Sequence, residues 1–273
     1  PIMSSIERLC EWFLEDTLPV WLEKGYDRAN RSFHERLNFD FSPVTEGGKR
    51  VLVQARQIYT YSSSASSIAG ALDAAQSAFE FTEAKYRHPA GGWRHRVTHE
   101  GAPLDDSRDL YDQAFVVFAC AVLYRATGRE DVLAAAFETL RYLEAERSHP
   151  AGGFTEVVPG DGSAFEGPRR QNPHMHLFEA MLALHEATGD DSHLETATRL
   201  YELTRSKFIV DNTLREYFTD ALDPVPGEAG KIVEPGHHME WVWLLHRYAV
   251  AADAPAAAAL AGTLYEFPLA HGY

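Results

Sequence analysis

The stretch HPAGGW at residues 88–93 returns as HPAGGF at 149–154, 61 residues on. A Gly-Gly pair before an aromatic residue marks a tight turn rather than chemistry. Written twice at this spacing, it marks a chain built from supersecondary units of about 60 residues. With the aromatic as marker, Phe33 stands 60 residues before Trp93, and Leu214 stands 60 after Phe154. Each marker opens a short alternating segment (FHERLNF, WRHRV, FTEVV, LREYF) that suits a brief strand or hairpin. An irregular loop and two helix-like stretches follow.

Period and punctuation predict an N-terminal helix over 4–24, with Ile6, Leu9, Phe13 and Leu14 on one face. Pairs follow at 52–63 and 65–85, 108–127 and 129–147, 172–188 and 190–207, and 237–251 and 253–270. Thr-Gly-Arg at 127–129 and Thr-Gly-Asp at 188–190 read as helix C-caps between the members of a pair. One helical hairpin cannot bury its own apolar face, so repeated hairpins stack. The first helix of each pair is the more apolar, as in AFVVFACAVLY and MEWVWLL, and suits an inner wall. The second, such as EDVLAAAFETLRYLEAERS, has a charged face suited to the outside. The expected fold is therefore all-α: an α/α toroid of hairpins with short β-hairpins in the loops at one end, with 1–273 as a single domain. Six pairs would need roughly 360 residues at this period. Nine helices are counted, so the expectation is an unusual toroid or a sequence lacking its last three helices.

Of the 273 residues, 45% are hydrophobic and 24% charged, enough for a substantial core. The net charge of −15 argues against nucleic acid or an anionic membrane surface as the main partner. Cys10 and Cys120 lie in apolar helical contexts and make no disulfide framework, which points to a reducing cytoplasm. No 18-residue apolar run occurs, and PIMSSIERLC lacks the features of a secretory signal.

In a toroid, the loops at one end and the adjoining starts of the inner helices surround one funnel. Unusual polar residues recur from about 18–24 residues after each marker, at one phase of an otherwise apolar wall. They are Arg56 in QARQIYTY, Tyr111 and Asp112 in DLYDQAF, His174, His176 and Glu179 in RRQNPHMHLFEA, and His237, His238 and Glu240 in EPGHHMEW. His176 with Glu179, and His237 with Glu240, are i and i+3 pairs on one helix face. His88 and His149 belong to the repeated turn, whereas Trp243, one turn beyond Glu240, is read as either packing or ligand contact.

With these segments in view, the chain resembles the N-acylglucosamine 2-epimerase family, which includes cellobiose 2-epimerases, mannose isomerases and a sulfoquinovose isomerase. The resemblance runs through LPVWLEKGYD, VQARQIYTYS, HPAGGW, LYDQAF and both His segments. It implies an (α/α)6 barrel. It also implies that His237 is a catalytic acid/base histidine, Glu240 the glutamate that supports it and Trp243 a pocket aromatic. Arg56 would bind sugar hydroxyls near the reacting carbons, with His176 and Tyr111 touching substrate. The family's second catalytic histidine, in a Tyr-His segment on the last inner helix, has no counterpart here; His271 lies in the wrong context.

Aldose–ketose exchange and C2 inversion both begin by removing a weakly acidic C–H proton, giving an enediolate. Histidine can act as base and acid near neutral pH, and arginine offers fixed donors to the developing oxyanion. The catalytic set expected is His237, Glu240 and His176. Arg56, Tyr111, Asp112, His174, Glu179 and Trp243 are expected to bind substrate, with no metal and no cofactor. The expected activity is a mannose/fructose-type isomerase, with a mono- or disaccharide as partner and a homodimer allowed for. Alternatives are a 2-epimerase of the N-acylglucosamine or cellobiose type, and a mannose-6-phosphate isomerase using Arg169 and Arg170. A metal enzyme built on His176, Glu179, His237 and Glu240, a glycoside hydrolase built on Asp112 and Glu240, and a non-catalytic sugar-binding or protein-interaction role complete the set.

Overall fold

The computed structural model describes residues 4–272. An N-terminal rod is made of α1 (Ser5–Glu11), a π-helical turn (Trp12–Thr17) and α2 (Leu18–Lys24). Four hairpins follow. They are α3 (Val51–Ser63) with α4 (Ala71–Tyr86), α5 (Leu110–Thr127) with α6 (Glu130–Tyr142), α7 (Gln171–Thr188) with α8 (Asp191–Leu203), and α9 (Pro235–Ala251) with α10 (Pro255–His271). The odd-numbered helices of the hairpins stand side by side in chain order as an inner wall, each backed by its even-numbered partner. This is the helical toroid that the repeat predicts. Gly128 and Gly189 cap α5 and α7 in the left-handed region, at φ 67° and 70°. Helix α4 starts six residues later than its sequence suggests. The serines after α3 form turns, and Gly70 enters α4 at φ +80°.

The reason for the repeated turn lies one layer inward. His88 and His149 each accept the backbone N–H two residues on at Nδ1, at 3.1 Å, and fold the loop back. Both are turn residues. Gly92 and Gly153 follow at φ +73° and +66°. A Cβ on Gly92 would sit 2.7 Å from Gln113 Oε1, and one on Gly153 would sit 2.5 Å from His174 Nε2. Those two atoms accept the N–H of the markers, Trp93 at 2.8 Å and Phe154 at 3.1 Å. Glycine leaves room for an inner-helix side chain to grip the backbone behind it. The other two repeats grip their markers with different turns. Gln54 Oε1 takes the Phe33 N–H at 2.8 Å, and His238 Nε2 takes that of Leu214 at 3.1 Å. The aromatics so held are core: Phe33 and Trp93 are wholly buried, and Trp93 Nε1 donates to Thr139 Oγ1 at 2.7 Å.

Neighbouring repeats are stitched at this same end. The expected local hairpins exist, for example Ile209–Val210 with Thr213–Leu214, yet longer-range pairs share the loops with them. Lys49–Arg50 pairs with Arg96–Val97, Arg108–Asp109 with Val157–Val158, and Arg169–Arg170 with Tyr217–Phe218. At each seam, the residue two beyond a marker caps the preceding inner helix with its carbonyl. Val51 N–H donates to His95 O, Leu110 N–H to Glu156 O, and Gln171 N–H to Glu216 O. These are helix-start amides that have no acceptor within their own helix. Among the described residues, no helix is long and apolar enough to cross a membrane.

Candidate active site

A helix turns about 100° per residue, so positions two apart face nearly opposite ways. Gln54, Gln113, His174 and His238 point outward to the markers. Two residues on, Arg56, Phe115, His176 and Glu240 form a belt on the other side of the wall. The Arg56 guanidinium lies 4.5 Å from the Phe115 ring centre, and Phe115 and His176 rings are 4.4 Å apart. His176 Nε2 is 3.9 Å from Glu240 Oε2. Arg56 Nη2 also donates to the Tyr111 hydroxyl at 2.8 Å, and Tyr111 meets His176 edge-on at 5.0 Å. Burial raises the Tyr111 pKa, keeping it a neutral donor. Glu179 Oε2 holds His176 Nδ1 at 3.0 Å, as the i, i+3 spacing predicts.

His237 stands at the mouth on the first turn of α9. Its Nδ1 donates to Glu216 Oε2 at 3.0 Å, and Nε2 has no partner among the described residues. The hydrogen bond to Glu216 raises the His237 pKa against the opposing effect of burial. Behind it, the Trp241 indole donates to Gln171 Oε1 at 2.8 Å, and Gln171 Nε2 donates to Glu216 Oε2 at 3.0 Å. This chain fixes the glutamate, and the glutamate fixes the tautomer. The carboxylate supporting His237 is therefore Glu216, not Glu240 as the i, i+3 spacing suggests. Glu240 turns toward His176 and contributes to His237 only through its field. Sequence reasoning missed Glu216. Its signal was available, because Glu35, His95, Glu156 and Glu216 all lie two residues after a marker.

Three further expectations are corrected by burial. Asp112 is 2% exposed and bonded to His95 Nδ1 at 2.7 Å, so it does not line the funnel. Nor can it flank a glycosidic bond together with Glu240. His174 is 1% exposed, donates from Nδ1 to Arg170 O and clamps Phe154; burial lowers its pKa to about 4. It is a neutral structural residue. Arg169 and Arg170 are already committed. Arg169 donates to Gly152 O and Phe154 O, and Arg170 pairs with Glu156 and Asp109. Trp243 sits one turn below the belt, 52% exposed and stacked on Arg247, beside a 280 Å³ cavity with Tyr59 and Phe118.

The four residues weighed as a metal set do not converge. Among the described residues, two other trios have donor atoms within 4.8 Å of one another: Asp27, His34 and His99, and Glu216, Glu234 and His237. In the first, the buried Lys49 ammonium already sits 2.7 Å from Asp27 Oδ2. In the second, the shared atoms are those of the His237–Glu216 hydrogen bond.

Residues 32–273 match the model for N-acylglucosamine 2-epimerase (GlcNAc 2-epimerase), and the chain belongs to that family. It is 35% identical over 260 residues to a mannose-6-phosphate isomerase from Rhizobium meliloti, covering 88% of this chain and 63% of that one. It is 27% identical to a cellobiose 2-epimerase from Ruminococcus albus, covering 89% and 64%. A crystal structure of D-mannose isomerase superposes with a TM-score of 0.87 at 19% identity, covering 97% of this chain and 72% of that one. The chain thus spans a little under two thirds of the length of those two curated relatives.

Proposed function

We propose that this chain carries the His237 side of an aldose–ketose isomerase of the mannose/fructose type. The carrying observation is the His237–Glu216 pair, with its open Nε2, at the same mouth as Arg56 and Tyr111. His237 Nε2 removes the proton from C2 of the open-chain sugar. Arg56 and the Tyr111 hydroxyl donate to the C1 oxygen as it gains negative charge, which is stabilisation prepared before the reaction. Return of the proton from His237 to C1, with protonation of the oxygens adjusted by solvent, yields the ketose. Glu216 compensates the imidazolium while the proton is held. Return to the opposite face of C2 would give the epimer instead.

The isomerase outcome is supported by the Rhizobium meliloti relative, a mannose-6-phosphate isomerase, and by the D-mannose isomerase that shares the fold. A free sugar is favoured over a phosphosugar because Arg169 and Arg170 are already paired. The free thiols of Cys10 and Cys120 agree with a reducing, cytoplasmic setting. The test is an NMR time course of D-mannose in D2O without added metal. Appearance of fructose supports the reading. Glucose as first product moves it to 2-epimerase, and unchanged mannose refutes it for this chain.

A further inference from the structure

Two positions create the His237–Glu216 pair: the second residue after the marker and the residue before the clamp. Repeats 1 and 3 fill them with Glu35 and Val53, and with Glu156 and Pro173, so no such pair forms. Repeat 2 fills them with His95 and Asp112, the same chemistry with the partners exchanged. The imidazole is now on the loop and the carboxylate on the helix, 2.7 Å apart through Nδ1 and Oδ2.

His95 stands between two helix starts. Its carbonyl takes the Val51 N–H at the head of α3, and its ring reaches the first turn of α5. Those helices carry Arg56 and Tyr111, which are already joined to each other. The His95 side chain is 25% exposed, and Nε2 has no partner among the described residues. The ring therefore keeps one nitrogen free for a second contact.

We propose that His95 is a specificity-determining residue of the sugar site, pinned through Nδ1 by Asp112 and offering Nε2 to a sugar hydroxyl on the α3–α5 side of the mouth. It moves no proton to or from carbon. It fixes which hydroxyl configuration is accepted, two repeats away from His237. The inference rests on the sugar-isomerase reading.

His95→Asn separates the contact from the strut, because the asparagine amide nitrogen can replace Nδ1 toward Asp112 while Nε2 is lost. The expected result is a KM for D-mannose raised about tenfold, with kcat within about threefold and the melting temperature unchanged. Unchanged KM in a folded variant overturns the proposal. Histidine 15N NMR with D-mannose gives a second readout, His95 being assigned from the variant. Shifts of both His95 and His237 at saturating sugar support the contact. A shift of His237 alone overturns this inference and leaves the isomerase reading standing. If neither ring shifts and mannose is not turned over, the sugar reading fails and this inference falls with it.

Discussion

The inner helices present two registers only two residues apart, and they are built for opposite purposes. The outward register of Gln54, Gln113, His174 and His238 is buried, each side chain bonded to a marker amide. The belt register of Arg56, Phe115, His176 and Glu240 is linked side chain to side chain rather than to the backbone. Histidine appears in both. On one side burial makes it a neutral acceptor; on the other, the Glu179 carboxylate orients His176. The residue type decides little here, and the direction it faces decides its role.

This contrast can be broken or sharpened experimentally. The largest effect is expected at the mouth. His237→Gln should lower kcat for mannose turnover by about 10²–10⁴-fold while leaving the urea midpoint unchanged. Comparable residual activity would remove His237 from the chemistry. Next, His174→Ala strips the buried Phe154 N–H of its acceptor and leaves a void, for an expected loss of about 3 kcal/mol in urea unfolding. His176→Ala should lose less than His174→Ala, because no backbone N–H loses its acceptor, yet reduce turnover; equal stability losses would erase the distinction between the registers.

Glu216→Gln gives a shift rather than a collapse. Glu216 raises the His237 pKa, and the base works only when neutral, so the acid limb of the wild-type rate lies above the ordinary histidine value. Removing the charge should move that limb to lower pH and reduce the plateau about tenfold. A limb that stays in place would assign it to another group. The smallest effect is on stability against pH. The lowered pKa of His174 keeps it neutral in the fold, while the unfolded chain takes up a proton below about 6.5. Stability should therefore fall as pH drops from there toward 4. His174→Gln, the clamp that repeats 1 and 2 use, should flatten that slope with under about 1 kcal/mol lost at neutral pH. An unchanged slope would mean the clamp does not report on acid unfolding.

Much of the architecture was legible because a 60-residue period survives in turns and markers. The helices follow from Gly128 and Gly189 caps and from the apolar stripes of α5 and α7. Reading the site was less complete for a geometric reason. A window of roughly 18–26 residues after each marker contains both registers, and sequence alone does not say which faces the funnel. His174 and Asp112 were therefore grouped with His176 and Tyr111. Glu216 was overlooked because its partner lies 21 residues ahead, across a loop, rather than one helical turn away. Helix spacing found His176–Glu179; the repeat register was needed for His237–Glu216.

The seam between repeats has a consequence for how the molecule opens. The amides of Val51, Leu110 and Gln171 are each held by a carbonyl of the following repeat. Each is thus a local reporter on its neighbour: its hydrogen–deuterium exchange rate reads whether the next repeat is docked, and the three together would time the order in which the wall comes apart.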